Sequence, residues 1–304
     1  MSNDVREELD TRLGAAGLSR LESGAERLSR EAFFLNAVTT SDEDVPVGWS
    51  KLGGRPDVPA DFAWPEVSGK RLAFIAQIDL SALPKTGSLP ANGMLSFFYN
   101  YEQSAWGFDP ADKEHSRVCY FPADRALMRT ESRSEKQDRG LLSKLASFRK
   151  KTISSDPVFQ CRKVSPTRFA SIPDVNASAF EDVLATAYED ERDSDAYSEF
   201  RDSYPVRGPR HQLLGWPTPI QNEMELECQL ASHGIYFGDA KGYKDPRVAQ
   251  LRETIDEWQL LLQVDTDDDA RMAWGDGGMI YFWIRKQDLE ERAFDKAWLV
   301  LQSF

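Results

Sequence analysis

Two short stretches of the chain place an amide, a carboxylate and a loop at nearly the same spacing. Gln77-Ile78-Asp79 and Gln263-Val264-Asp265 each close an apolar run, and a polar loop then leads to Gly93-Met94-Leu95 and to Gly278-Met279-Ile280. From Gln77 to Gly93 is 16 positions, and from Gln263 to Gly278 is 15. An amide inside an apolar strand must find partners or cost stability, so each Gln is expected to tie the backbone of a neighbouring loop. Asp79 and Asp265 end their strands and suit capping of the turns that follow. Clefts between two halves of a fold are common ligand sites, so these four residues, with His211, Trp274 and Asp276, form the candidate ligand-binding set.

The C-terminal stretch alone continues as Asp265-Thr266-Asp267-Asp268-Asp269. Alternate Asp residues are how calcium loops gather oxygen ligands, and Asp276 falls at position 12 counted from Asp265. Asp265, Asp267, Asp269 and Asp276 are therefore a weak calcium candidate. Ala270 stands at position six, where a calcium loop needs Gly for its sharp turn, so a solvated acidic loop is the expectation. His115 and Cys119 lie four apart but lack the convergent partners of a zinc site. A nucleophile-base pair would have to use His115, His211, His233 or a carboxylate, and no nucleophile signature surrounds Cys119 or Cys228. The reading leans to a protein that is not an enzyme and carries no cofactor.

Elements to position these residues can be read from the pattern. Apolar groups at Val5, Leu9, Leu13, then Leu18, Leu21, Ala25 and Leu28 give a 3.6-residue stripe broken near Gly14 and Gly17, which predicts two short amphipathic helices. Leu72 to Ile78, Met94 to Tyr99 and Val118 to Pro122 are rich in branched and aromatic residues and predict strands, as do Trp258 to Val264, Met279 to Arg285 and Trp298 to Gln302. A short helix capped by Asp288 is expected before the last of these. Leu214-Gly215 echoes Leu52-Gly53 in a second Leu-Gly loop ahead of Pro. Between the halves, Leu141-Leu142, Leu145 and Phe148, and later Phe180, Val183-Leu184 and Ala187-Tyr188, keep helical spacing inside a strongly charged stretch.

The chain has 304 residues, 41% of them hydrophobic, and a net charge of -13. That balance disfavours nucleic acid as a partner, because its backbone must be met by clustered Lys and Arg. The N-terminus lacks a basic region followed by an apolar one, and no run approaches the roughly 18 apolar residues of a membrane span. Three widely spaced cysteines suit reduced thiols. A cytoplasmic protein is expected, with no membrane partner and an oligomeric state the residues do not fix.

The loop Ser50-Lys51-Leu52-Gly53-Gly54-Arg55-Pro56, the strand Phe74-Ile75-Ala76-Gln77-Ile78-Asp79, His211-Gln212-Leu213-Leu214-Gly215-Trp216-Pro217, Leu261-Leu262-Gln263-Val264-Asp265 and Trp274-Gly275-Asp276-Gly277-Gly278 together resemble the YwqG-like family of bacterial proteins of unknown function. The resemblance covers about 45–125 and 205–304 and implies an α+β fold of mainly antiparallel sheets, built from an internally duplicated strand-loop-strand unit with peripheral helices. One domain over 1–304 is expected, with repeat halves at 45–125 and 206–304 and a charged helical insertion at 129–205. Members are sometimes encoded near toxin or secretion loci, so a binding protein of immunity type, facing a basic toxin or effector domain, is the function expected by analogy. The alternative is an enzyme or a small-ligand or cation binder using a cleft between the halves.

Overall fold

The computed structural model describes residues 3–85, 87–131, 158–183, 191–205 and 208–304. Ten strands form one antiparallel sheet and are numbered in chain order: β1 Arg30–Thr39, β2 Lys51–Leu52, β3 Ala73–Asp79, β4 Met94–Tyr99, β5 Ser116–Phe121, β6 Arg162–Ser171, β7 Gln212–Leu214, β8 Trp258–Asp265, β9 Met279–Arg285 and β10 Trp298–Gln302. Across the sheet they run β10-β9-β8-β7-β1-β6-β2-β3-β4-β5. The sheet curls until its edges nearly meet. The chain between β4 and β5 bridges the gap: Leu301 N–H donates to the Trp106 carbonyl, and Trp298 Nε1 donates to the Gly107 carbonyl.

Alternation along each strand sorts side chains to the two faces of the curl. Phe33 and Leu35 of β1, Ile280, Phe282 and Ile284 of β9, and Leu95 and Phe97 of β4 fill the inside, where Phe97 and Phe282 meet with ring centroids 5.1 Å apart. Ala32 and Phe34 face outward beneath helices α1 (Asn3–Ala15) and α2 (Glu22–Leu28), whose stripe of Val5, Leu9, Leu13, Leu21 and Ala25 is buried there. α3 (Ser178–Val183) and α4 (Glu191–Ser203) complete that outer layer through residues such as Phe180, Tyr197 and Phe200. A second outer layer centres on α5 (Glu225–Ser232), whose Cys228, Leu230 and Ala231 pack on Trp258, Tyr281 and Trp298.

Several expectations change at this level. Arg30–Thr39 is a ten-residue strand, and so is Arg162–Ser171 inside the stretch expected to be helical; they pair along their whole length at the middle of the sheet. β1 opens with Arg30-Glu31 and β6 with Arg162-Lys163, Arg168 following further on, and their apolar residues alternate only over a few positions, which hid the period-2 signal. The helical spacing at Leu141–Phe148 and at Leu184–Tyr188 lies outside the described residues. Asp288 does not cap its helix: Arg285 stands at the cap, and the Asp288 carboxylate accepts Lys296 Nζ at 2.6 Å. Lys51 faces Gln77 and Gln212 faces Gln263, so Leu214 corresponds to Gly53 and Gly215 to Gly54, one position away from the expected match. Both pairs have left-handed backbone, with φ of +60 and +58 at the first and +79 and +69 at the second.

Candidate functional site

The buried amides do what their position demands. Gln77 Oε1 accepts Asp57 N–H at 2.9 Å while its Nε2 donates to the Trp49 carbonyl at 2.7 Å. Gln263 Oε1 accepts Thr218 N–H at 2.8 Å while its Nε2 donates to the Arg210 carbonyl at 2.8 Å. Each therefore clamps the two ends of one loop, and neither side chain reaches solvent. Asp79 caps the turn after β3 by accepting Ser81 N–H and Oγ–H. Asp265 acts differently, accepting Arg210 N–H at 2.8 Å and so tying the loop before β7.

His211 lies fully inside. Its Nδ1 accepts Asp265 N–H at 3.2 Å, so Nε2 carries the ring proton and donates it to Asp267 Oδ2 at 3.0 Å. The same carboxylate receives the Arg162 guanidinium, while its other oxygen accepts the N–H groups of Asp269 and Ala270. Burial works to raise the Asp267 carboxyl, but the His211 hydrogen bond, the Ala270 N–H and the Arg162 charge outweigh it and hold the group at about 2. Trp274 is completely buried against Tyr99 and Phe159, with Nε1 donating to the Asp265 carbonyl. Asp276 is exposed and takes part through its carbonyl, which accepts Phe304 N–H at 3.4 Å. The set is thus drawn into loop ties at one rim of the curled sheet and lines none of the open clefts described below.

The calcium pattern is consumed in the same way. Asp267 is saturated by Arg162, His211 and its own turn, Asp265 by Arg210, and the Asp269 side chain points out near Arg162 at 3.6 Å. No group of three or more His, Cys, Asp or Glu side chains able to hold a metal ion is present among the described residues. The thiols are equally unreactive: burial pushes Cys119 up to about 11 and Cys161 up to about 12, far from the thiolate that nucleophilic chemistry needs.

An open cleft of about 840 Å³ lies elsewhere, on the outer face beside α5. Local sequence explains its walls. Leu214 and Gly215 take left-handed backbone at the end of β7, and a Cβ on Gly215 would stand 2.6 Å from Ala32 Cβ, so only glycine lets the turn pass over β1. That turn delivers Trp216, fixed by Nε1 to the Leu28 carbonyl at 2.8 Å, to the start of β1. There the Arg30 guanidinium lies on the indole, its Cζ 3.3 Å from the ring centroid. Pro217 and Pro219 end the pairing, and the chain turns into α5, whose first turn carries Glu225 and Glu227. Glu223, just before, caps α3 by accepting Ser178 N–H and Oγ–H. Trp258, Tyr243, Arg252 and Asp256 form the far side.

Two carboxyls in this cleft are held far above their ordinary range. Burial raises the Glu225 carboxyl from an ordinary 4.5 to about 7, helped by Glu223 and opposed by Arg30. Burial, then the neighbouring Glu225, raises Glu227 to about 7 as well. Arg30 is lowered by burial and supported by Glu225. A carboxylate pair set in this range can bind a cation or move a proton near neutrality.

A family model described as "Domain of unknown function (DUF1963)" matches residues 50–303. The chain belongs to that family. The matched range includes β6 and the helices after it. No curated protein matches the chain. No helix among the described residues is long and apolar enough to cross a membrane. Sequence reasoning missed Arg30, Glu225, Glu227 and Tyr243. The one signal was the alternation Glu223-Met224-Glu225-Leu226-Glu227, a strand-like pattern that the structure places at a helix start.

Proposed function

We propose that the chain is a binding protein that receives a positively charged segment of a protein partner in the cleft beside α5, without catalysing a reaction. The observation that carries this is the cleft's lining: Glu223, Glu225, Glu227 and Asp256 against Arg30 and Arg252, with aromatic walls at Trp216, Tyr243 and Trp258. Carboxylates beside aromatic faces are the chemistry that recognises cations. The net charge of -13 supports fast, steered encounter with a basic partner. A basic toxin or effector domain held inactive by the chain is the partner class that fits, and the free thiols Cys119, Cys161 and Cys228 favour a reducing, cytoplasmic setting. On this reading Gln77, Asp79, His211, Gln263, Asp265, Trp274 and Asp276 serve a duplicated strand-loop-strand scaffold.

The test is titration with a hexa-arginine peptide at low salt. Saturable binding that weakens about ten-fold in the Glu225→Gln/Glu227→Gln variant, and much less in Asp268→Asn/Glu290→Gln, supports the reading. Equal loss in both variants means non-specific attraction and contradicts it. A second reading is an enzyme using Glu225 and Glu227 as acid and base, favoured by their shared shift to about 7. Turnover of any substrate with a bell-shaped pH profile abolished by Glu227→Gln would select it.

A further inference from the structure

The two raised carboxylates do not have the same company. Glu225 lines the cleft with Arg30, whose guanidinium lies over the Trp216 ring, and the Arg30 charge opposes the rise of the Glu225 carboxyl. Glu227 lines the same cleft as Tyr243, and burial first, then the Glu227 charge, raises the Tyr243 hydroxyl. Among the described residues no cationic side chain pairs with the Glu227 carboxylate. Tyr243 is 44% exposed, unlike Trp216 at 7% and Trp258 at 3%, so its ring is the aromatic surface open to an incoming group. Trp258 is already engaged, with Arg285 over its ring at 4.9 Å and Nε1 on Gln229 Oε1.

We infer that the cleft takes an arginine side chain of the partner between the Glu227 carboxylate and the Tyr243 ring, beside the place where the Arg30 guanidinium already lies over Trp216. This rests on the binding reading above and names its ligand chemistry. A guanidinium suits the place better than an ammonium because it stacks by its face and is weakly hydrated while donating to a carboxylate in its plane. The remaining charges around it set the balance: Glu223 is spent on the α3 cap, Glu225 shares the cleft with Arg30, and Asp256 and Arg252 stand on the opposite wall. The cleft therefore leaves Glu227 without a cationic partner among the described residues, and a bound guanidinium favours its ionised form.

The probes are N-acetyl-arginine amide, its neutral isostere N-acetyl-citrulline amide, and N-acetyl-lysine amide, followed by chemical shifts of the native chain. The expected result is arginine binding at least about ten-fold tighter than citrulline and tighter than lysine, with Glu227→Gln and Tyr243→Ala each losing about ten-fold and Tyr243→Phe retaining affinity. Equal affinity for citrulline, preference for lysine, or an unchanged affinity in Tyr243→Ala overturns the inference. Shifts centred on Glu227 and Tyr243 support it, and shifts centred elsewhere overturn it. If hexa-arginine binds through the cleft but the single arginine amide does not, the ligand inference falls and the binding reading stands. If the arginine amide binds at Glu227 but no basic segment does, the site stands and the protein-partner reading falls.

Discussion

Replacing Glu225 by Gln should make the protein more stable at alkaline pH and leave it nearly unchanged in acid. Its folded value of about 7 lies above its ordinary 4.5, so the native state holds the proton more tightly than the unfolded chain. Stability linked to this group is therefore greatest below 4.5, falls as pH rises from 4.5 to 7, and stays reduced above. A shift of that size corresponds to about 3 kcal/mol at most. The half-open position of the carboxyl and its coupling to Glu227 reduce this, so removing the charge should recover about 1–3 kcal/mol. Urea unfolding followed by tryptophan fluorescence at about pH 5 and about pH 8 reads the difference directly. The reasoning is refuted if the Glu225→Gln advantage is the same at both values, or if it is larger in acid. Glu227→Gln should behave alike, and the double variant should gain less than the sum because the Glu225 charge is part of what raises Glu227.

Two further outcomes follow from the loop ties. Gln263→Ala leaves Thr218 N–H and the Arg210 carbonyl without partners and should destabilise by about 2–5 kcal/mol, visible as a lower denaturation midpoint without a change in slope. Asp267→Ala strips Arg162 and His211 of their shared carboxylate; a loss of about 3–5 kcal/mol at neutral pH is expected, shrinking as pH falls from 3.8 through about 2, where the native carboxylate itself is protonated. A neutral-pH loss below about 0.5 kcal/mol would show that the buried trio contributes little.

Much of the scaffold was legible because its signals are local. Six of the ten strands show as branched and aromatic runs, and the Val5–Leu9–Leu13 stripe marks α1 before any contact is known. The two clamping amides were legible too, since a Gln amid Leu, Ile and Val has few structural alternatives. What stayed hidden depends on partners far away in sequence. β1 and β6 have mixed polar character and become strands by pairing with each other across some 130 residues, as Phe33 with Arg168 shows. β2 and β7 are too short to leave a period. His211 looked available for chemistry because burial cannot be read from one residue's type, yet Asp267 and the Asp265 N–H occupy both of its nitrogens.

The cleft was hidden for the same reason. Arg30, Trp216, Glu225 and Tyr243 come from four separated segments, and a Leu-Gly turn with left-handed backbone brings the second to the first. The buried ion cluster near β2 is a parallel case: Lys51 is wholly enclosed, 3.3 Å from Asp42 and 3.7 Å from Asp57, while Arg129 reaches Asp57 from another loop. Burial lowers Lys51 while Asp57 and Asp42 oppose the fall. After β6, Gln212 and Thr218 carry no charge, and the loop before β8 is tied by the Gln263 amide, the Asp265 carboxylate, Ser171 Oγ and the Arg201 guanidinium, with Trp216 lining the cleft.

On the proposed binding function, the cleft beside α5, and not the rim carrying His211 and Asp276, takes up a basic segment. Amide hydrogen exchange with and without saturating hexa-arginine peptide tests it most directly. Slower exchange confined to residues 223–258 and the start of β1 is the predicted result; protection of residues 265–276 with the α5 region unchanged would contradict it.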